Sequence, residues 1–276
     1  MLGLPGQTFE ICRRDLQFCF DHKVGATIFA TSVMPNAPMA DEEYRRKFKI
    51  VVGEDGFVES TYSFTREEYA EMFDLCLGYK LFVKLGLLKY LLYFVQIEHG
   101  VKAIDFIARW MKASAQQSDL YPISGRIRRD LIERDYRGGL KDWLMLVWGD
   151  AQAGFLFDSL EAFQREILEF YEREHSVPLE GGDVEAVLTA NREVMPRKGR
   201  DVPARIPLTH DVPAYFDALR KLPSVDDMPA GHVPLAIRGP GYLELPQQPV
   251  RTSYQHADLG GLDLLGQLEL RSNLRI

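Results

Sequence analysis

The sequence contains few cysteines and no excess of basic charge. Its three cysteines, Cys12, Cys19 and Cys76, do not form the dense, even set that a disulfide framework requires. The formal net charge of -7 argues against a nucleic-acid-binding protein, because such proteins use a basic face to neutralise phosphates. The sequence also lacks a basic leader followed by an apolar stretch and a cleavage site, so we expect a cytoplasmic protein without nucleic-acid partners.

Three common catalytic motifs are missing as well. The sequence has no G-x-S-x-G nucleophile elbow, no H-E-x-x-H metal-binding helix and no G-x4-G-K-[ST] phosphate-binding loop. His210 follows an apolar segment and could act as a base or a metal ligand, whereas its neighbour Asp211 could simply cap the next helix. We favour capping, because no second histidine lies at ligand spacing. The residues alone therefore identify no catalytic residue and no metal ligand.

The clearest pattern lies at the start of the chain. Thr8 can cap a helix, and after it five apolar residues recur at helical spacing: Phe9, Cys12, Leu16, Cys19 and Phe20. The next segment, Ala26 to Met34, is short, apolar and rich in β-branched residues, which predicts a fully buried strand. The loops Gly3–Gln7 and Met34–Met39 would then follow the carboxyl ends of two parallel strands. Because α/β sheets bind ligands at that edge, these two loops are the candidate binding site.

Both loops carry short motifs that occur together in one enzyme family. Leu2 to Thr8 reads LGLPGQT, and Met34 to Met39 reads MPNAPM. This ordered pair resembles the later part of a radical SAM barrel, in which a strand runs into G-L-P-G-x-T, a helix follows, and the next strand ends in L-P-G-T-P-L or a variant. The sequence is most similar to the cobalamin-dependent, B12-binding branch of that family.

The resemblance implies a fold, a cofactor site and a chemistry. The fold would be an α/β fragment of a TIM-type barrel with parallel strands, followed by a mainly α-helical C-terminal region. The cofactor-binding residues would be Gly3, Leu4, Pro5 and Gly6 in the first loop and Val33, Met34, Pro35 and Asn36 in the second. The first set would lie near the adenosyl moiety of S-adenosylmethionine, and the second would face the adenine and the substrate. In the family, a [4Fe-4S] cluster reduces S-adenosylmethionine, and the deoxyadenosyl radical then abstracts hydrogen; cobalamin would be a further cofactor in the B12-binding branch.

The cysteines depart from this family. Radical SAM enzymes hold the cluster with three cysteines in C-x3-C-x2-C spacing, which Cys12, Cys19 and Cys76 do not match. We expect these cysteines to pack in apolar helix faces instead. We therefore expect a truncated sequence that lacks the N-terminal cluster-binding half, is inactive alone and binds neither S-adenosylmethionine nor a cluster stably. Its partners would be that missing half or a small-molecule substrate.

The rest of the chain divides by composition. We predict four regions: part of the barrel in 1–50, a β-ribbon in 51–64, a helical domain in 65–196, and an extended Pro/Gly-rich tail with a short strand and helix in 197–276. Asp55-Gly56 between apolar segments is a hairpin signal, and Thr65 with Glu68 forms a capping box that opens the helical domain. From Ser253 onward we expect poor order.

The stretch Leu81 to Ile97 is the most hydrophobic in the chain and carries the alternative hypothesis. Lys84, Gly86 and Lys89 interrupt it, and it is slightly short for a membrane span, so we predict a buried helix. Its tyrosines and lysines could instead contact a membrane surface or a partner protein. In that alternative, the chain is a non-catalytic helical binding or scaffold protein that docks through this stretch.

Overall fold

The described part of the chain is mainly helical. The computed structural model describes residues 1–26, 28–84, 86–137, 158–175, 179, 181–194 and 203–245. The α-helices are α1 (Phe9–Asp21), α2 (Glu42–Phe48), α3 (Arg66–Tyr79), α4 (Lys89–His99), α5 (Ala103–Gln116), α6 (Pro122–Arg137), α7 (Leu160–His175), α8 (Gly182–Val194) and α9 (Val212–Arg220). The strands are β1 (Val51–Val52), β2 (Val58–Ser60), β3 (Ala204–Leu208) and β4 (Gly241–Leu245). The predicted helical region after the opening segment is therefore confirmed, and the strands of the described residues close no barrel.

The chain folds into two compact units that alternate along the sequence. The first unit comprises Met1–Phe18, Ala26–Lys80 and Ile104–Leu146. The second unit comprises Cys19–Gly25, Leu81–Ala103 and Val147–Ile276. Each unit buries large apolar and aromatic side chains of its own, including Phe73 and Trp110 in the first and Tyr90 and Phe163 in the second.

The first unit contains two helices whose starting points the sequence predicts correctly. Before α1, the Oγ1 of Thr8 accepts a hydrogen bond from the backbone three residues on, and the predicted apolar stripe is buried at Cys12 and Leu16. Before α3, Thr65 Oγ1 accepts from the backbone N–H of Glu68, whose carboxylate accepts from Thr65 N–H at 2.8 Å. These reciprocal bonds are the predicted capping box.

A β-ribbon follows α2, as predicted. β1 and β2 pair antiparallel across the turn that contains Asp55-Gly56. Gly56 has φ +82°, a left-handed conformation that glycine adopts without strain and that a tight hairpin turn requires. Next to β2, Phe57 forms an antiparallel bridge with Ser32, so the ribbon lies beside the segment that follows α1.

The prediction of a fully buried strand from Ala26 to Met34 is wrong. Among the described residues of this segment, only Ala30 and Ser32 form β-bridges, one to Leu2 and one to Phe57. Pairing reaches a single residue on each side, so neighbouring strands do not enclose the rest of the segment. As a result Met34 is 62% exposed, although the segment has the amino-acid composition of a core strand.

In the second unit, most described residues of the hydrophobic stretch Leu81 to Ile97 are buried, as predicted, although Lys84 is exposed. The stretch is not one helix. A π-helical turn spans Lys80–Lys84 and ends before Gly86, which has φ +79°. The next helix, α4, starts at Lys89. A glycine at a left-handed φ ends helical hydrogen bonding, which the apolar composition alone does not reveal. Among the described residues, no helix combines the length and apolarity needed to cross a bilayer.

The side chain of Asn191 satisfies three backbone hydrogen-bonding groups at this break. Its side chain is fully buried in α8, and its Oδ1 accepts a hydrogen bond from Tyr90 N–H at 2.9 Å. Its Nδ2 donates to the carbonyl oxygens of Gly86 and Leu87, at 2.9 and 2.8 Å. Leu88, the residue before α4, provides no side-chain cap. Asn191 therefore does from a neighbouring helix what an N-cap residue does locally.

The region predicted as an extended tail contains a regular antiparallel pair. β3 and β4 pair over five residues each, from Ala204 with Leu245 to Leu208 with Gly241. Along β4 the side chains alternate between buried and exposed positions, as in a strand with one face on a core. The structure does not describe residues 246–276, so the expected poor order from Ser253 lies outside the described residues.

Candidate functional site

The two predicted loops follow two residues, Leu2 and Ala30, that form a parallel β-bridge. Leu2 N–H donates to the carbonyl oxygen of Phe29 at 2.7 Å, and Thr31 N–H donates to the carbonyl oxygen of Leu2 at 2.8 Å. These bonds pair Leu2 with Ala30 in parallel, and α1 connects the two segments. Because the chain runs in the same direction through both, the loops that follow them leave at the same edge.

The first loop, Gly3–Gln7, contains a turn that depends on its glycines. Gly3 has φ +95° and Gly6 has φ +93°, values at which a side chain would be strained. Gly3 N–H donates to the side-chain oxygen of Gln7 at 2.8 Å, and Gly6 N–H donates to Ser63 Oγ at 2.9 Å. Gln7 N–H closes the turn on the carbonyl oxygen of Leu4 at 3.1 Å.

Two tyrosines that the sequence analysis missed lie against this loop. A Cβ atom added to Gly3 would lie 3.2 Å from Cε2 of Tyr69, and one added to Gly6 would lie 3.4 Å from the hydroxyl of Tyr62. Tyr69 is buried, whereas Tyr62 is 56% exposed. Both belong to elements about sixty residues away along the chain, so only the tertiary fold brings them to the loop.

Val33–Asn36, where the second loop begins, is hydrogen-bonded to the β-ribbon through Val33 and then turns outward. Val33 N–H donates to the carbonyl oxygen of Gly56 at 2.9 Å, and Ala37 N–H donates to the carbonyl oxygen of Met34 at 3.1 Å. Asn36 has φ +66°, a conformation that asparagine tolerates better than most residues. Met34, Pro35 and Asn36 are exposed, so this loop offers side chains as well as backbone to a ligand.

Thr31, which shortly precedes the second loop along the chain, contacts the first loop at Gly3. The backbone N–H groups of Gly3 and Gly6 bond to Gln7 and Ser63, and not to residues of the second loop. Thr31 lies beside the first loop, because a Cβ atom added to Gly3 would lie 3.7 Å from Thr31 Cβ. Its hydroxyl oxygen is buried and has no hydrogen-bond partner, which is uncommon for a buried polar atom.

The cysteines are arranged as core residues. Cys12 on α1 and Cys76 on α3 are both buried, and their sulfur atoms lie 3.8 Å apart. The hydrogen bond with Cys12, followed by burial, raises the pKa of the Cys76 thiol, so Cys76 stays protonated at neutral pH. The prediction that Cys12 and Cys76 pack in apolar helix faces is confirmed, and Cys19 is half-buried.

A polar cluster in the second unit was not predicted as a site. The Tyr215 hydroxyl donates to the Glu98 carboxylate at 2.8 Å, and burial followed by this carboxylate raises the pKa of Tyr215. His232 Nε2 lies 3.5 Å from the same oxygen but does not meet hydrogen-bond geometry. Beside His232 is a cavity of about 380 Å³, where Lys102 and Asp226 pair at 2.9 Å. The Lys102–Asp226 pair therefore links the segment after α4 to the segment after α9.

Asp211 has the capping role that we favoured. Its Oδ1 accepts a hydrogen bond from Ala214 N–H at 3.1 Å, in the first turn of α9. His210 Nδ1 lies 3.2 Å from Thr209 Oγ1, which itself donates to the carbonyl oxygen of Gly182 at 2.8 Å. The prediction of a cap is therefore confirmed.

Comparison with known proteins does not assign the chain to a family. No model of a known protein family matches the sequence, and no curated protein matches it significantly. The candidate site is therefore defined by its geometry and by the motifs of the two loops.

Proposed function

We propose that this chain is the C-terminal part of a cytoplasmic radical SAM family enzyme of the cobalamin-dependent type. Together with a cluster-bearing polypeptide, the enzyme would cleave S-adenosylmethionine reductively and use the radical on a small-molecule substrate. The observation that carries the proposal is the parallel pairing of Leu2 with Ala30 across α1, with one motif-bearing loop after each residue.

The geometry of the loops supports a role in binding S-adenosylmethionine. Gly6 carries no side chain, and the position of its missing Cβ lies 3.4 Å from the Tyr62 hydroxyl, so Tyr62 packs directly against the loop. Leu4 and Met34 are exposed apolar side chains, and the exposed ring of Tyr62 is a flat surface for an adenine. In this proposal, Gly3–Gly6 lie near the adenosyl moiety, and Val33–Asn36 face the adenine and the substrate.

The described residues do not fit an iron–sulfur cluster. The thiols of Cys12 and Cys76 are hydrogen-bonded to each other in the core. Within the described ranges, no group of three or more His, Cys, Asp or Glu residues could hold a metal ion. The proposal therefore assigns no catalytic step to this chain by itself. Its own residues would bind and orient S-adenosylmethionine, while the cofactor carries out the difficult step.

The alternative of a helical scaffold protein that docks through Leu81 to Ile97 has less support. Docking requires exposed apolar side chains, but Leu91, Tyr93 and Phe94 of the second unit are each at most 1% exposed. A membrane or partner surface could reach them only after part of that unit opened.

The DNA that precedes the codon of Met1 tests the proposal. We expect an in-frame extension that encodes C-x3-C-x2-C, because the cysteines of this chain cannot supply the cluster. Sequencing the genomic region gives the answer directly. A stop codon with a ribosome-binding site immediately before Met1, and no neighbouring gene with such cysteines, would overturn the proposal.

A further inference from the structure

Two thiols of the first unit lie in contact although their residues are far apart in the sequence. Cys12 on α1 and Cys76 on α3 are separated by 64 residues along the chain, and their sulfur atoms lie 3.8 Å apart. A disulfide bond is about 2.05 Å long, so the two sulfur atoms need to approach by about 1.8 Å to form one. Side-chain rotation together with a small shift of one helix covers such a distance.

The two thiols differ in reactivity. The hydrogen bond with Cys76 outweighs burial and lowers the pKa of the Cys12 thiol, whereas the same hydrogen bond and burial both raise the pKa of Cys76. Cys12 also lies in the first turn of α1, where the partial positive charge of a helix N-terminus favours an anion. Because the thiolate is the nucleophile in thiol chemistry, Cys12 is the attacking sulfur and Cys76 the resolving one.

Burial restricts the oxidants that can reach this pair. Cys12 is 4% exposed and Cys76 is 2% exposed, which excludes a bulky oxidant such as glutathione disulfide while the fold is intact. Hydrogen peroxide is uncharged and little larger than a water molecule. It can enter when the first turn of α1 opens, because helix ends open more readily than helix interiors.

We propose that Cys12 and Cys76 form a reversible oxidation site that hydrogen peroxide converts into an intramolecular disulfide. The Cys12 thiolate attacks one peroxide oxygen, the O–O bond breaks, and the leaving hydroxide takes up the proton that Cys12 had released. The Cys76 sulfur then attacks the sulfenic sulfur of Cys12. The S–S bond forms, the S–O bond breaks, and the leaving hydroxide takes the Cys76 proton. The two thiols lose two electrons, the peroxide is reduced to water, and a small dithiol reverses the reaction.

The disulfide would connect two helices that flank the first loop. α1 starts shortly after Gln7, and Tyr69 on α3 packs against Gly3, where an added Cβ atom would lie 3.2 Å from Tyr69 Cε2. Drawing α1 towards α3 therefore displaces the loop between them, and oxidation changes the conformation of the candidate site. The inference goes beyond the proposed function, because it requires only these two helices and a peroxide.

Peptide mapping of the full chain after peroxide treatment tests the inference. The reduced, folded protein is treated with hydrogen peroxide, free thiols are blocked with N-ethylmaleimide, and the digest is analysed by mass spectrometry. We expect Cys12 linked to Cys76, the loss of two hydrogen atoms from the intact protein, and a shift of the Gly3 amide resonance that dithiothreitol reverses. In urea the same treatment should favour a link between Cys12 and Cys19, which are closest in the sequence.

Serine variants distinguish the attacking thiol from the resolving one. Cys76→Ser keeps a hydrogen-bond donor for Cys12 but cannot form the disulfide, so dimedone should trap a sulfenic acid at Cys12. Cys12→Ser should give at least about tenfold less trapping at Cys76. The control Cys19→Ser should form the disulfide at the wild-type rate, and circular dichroism checks that each variant is folded.

Three results would overturn the site: peroxide that oxidises Cys19 but leaves Cys12 and Cys76 as thiols, a Cys12–Cys19 link in the folded wild type, or preferential trapping at Cys76. The first two are measured on the wild-type protein, so they decide the matter even if a serine variant fails to fold. A Cys12–Cys76 link that leaves the Gly3 resonance unchanged would overturn the effect on the loop.

Discussion

Replacing Asn191 with alanine should lower the free energy of unfolding by about 3–5 kcal/mol, because it leaves several buried backbone groups unsatisfied, each costing about 1–3 kcal/mol. The groups are the N–H of Tyr90 and the carbonyl oxygens of Gly86 and Leu87, which all bond to the Asn191 side chain. Tyr90 and Leu87 are buried, so water cannot take over these bonds without opening the second unit. Urea unfolding followed by circular dichroism measures the loss.

A control on the same helix separates this effect from a general weakening of α8. Glu185 is exposed in the first turn of α8, and Glu185→Ala should cost no more than about 1 kcal/mol through the lost interaction with the helix dipole. Asn191→Asp is a second variant: it keeps the acceptor for Tyr90 N–H but turns an acceptor towards the two carbonyl oxygens. We expect it to be destabilised as well. Wild-type stability of Asn191→Ala would contradict the role assigned to this side chain.

Replacing Gly241 with alanine should destabilise the protein by about 2–3 kcal/mol through overpacking. A Cβ atom at Gly241 would lie 2.6 Å from Cα of Asp211 and 2.9 Å from its Oδ1. The first of these is a backbone atom, so no side-chain rotation can relieve the contact. The same carboxylate caps α9 through Ala214 N–H, and Gly241 pairs with Leu208 at the end of the β3–β4 ladder. The clash therefore disturbs a strand pair and a helix start together.

Gly239 is a matched control two residues earlier. A Cβ atom there would meet nothing within 4 Å, and its φ is not left-handed. Gly239→Ala should therefore be neutral or stabilise the protein by up to about 1 kcal/mol, because alanine restricts the unfolded chain. Thermal unfolding of both variants gives the comparison. Equal midpoints for Gly241→Ala and Gly239→Ala would show that the close approach to Asp211 has no energetic consequence.

Local signals in the sequence predict the helix starts well. The caps at Thr8, Thr65 and Asp211 each depend on one side chain and a backbone group three residues away, so short-range chemistry determines them. The ribbon around Asp55-Gly56 is determined in the same way by its turn. Features of this kind do not depend on the rest of the fold.

Long-range features were not predictable from the same information. The Ala26 to Met34 segment has the composition of a buried strand, but its burial depends on partners, which pair with only two of the residues that the structure describes there. The apolar run from Leu81 gives no sign that Asn191, about one hundred residues later, will hold its break. For the candidate site, the motifs indicate both loops, whereas Tyr62 and Tyr69 reach the glycines only through tertiary packing.

The most direct test of the proposed function is formation of 5′-deoxyadenosine. The protein read from the in-frame DNA that includes this chain would be reconstituted anaerobically with iron and sulfide, reduced, and given S-adenosylmethionine. We expect the longer protein to release 5′-deoxyadenosine, this chain alone to assemble no stoichiometric cluster, and Gly6→Val in the longer protein to reduce the product at least tenfold while its iron content stays the same. A four-iron spectrum from this chain alone, or a cluster-loaded longer protein that leaves S-adenosylmethionine intact, would contradict the account.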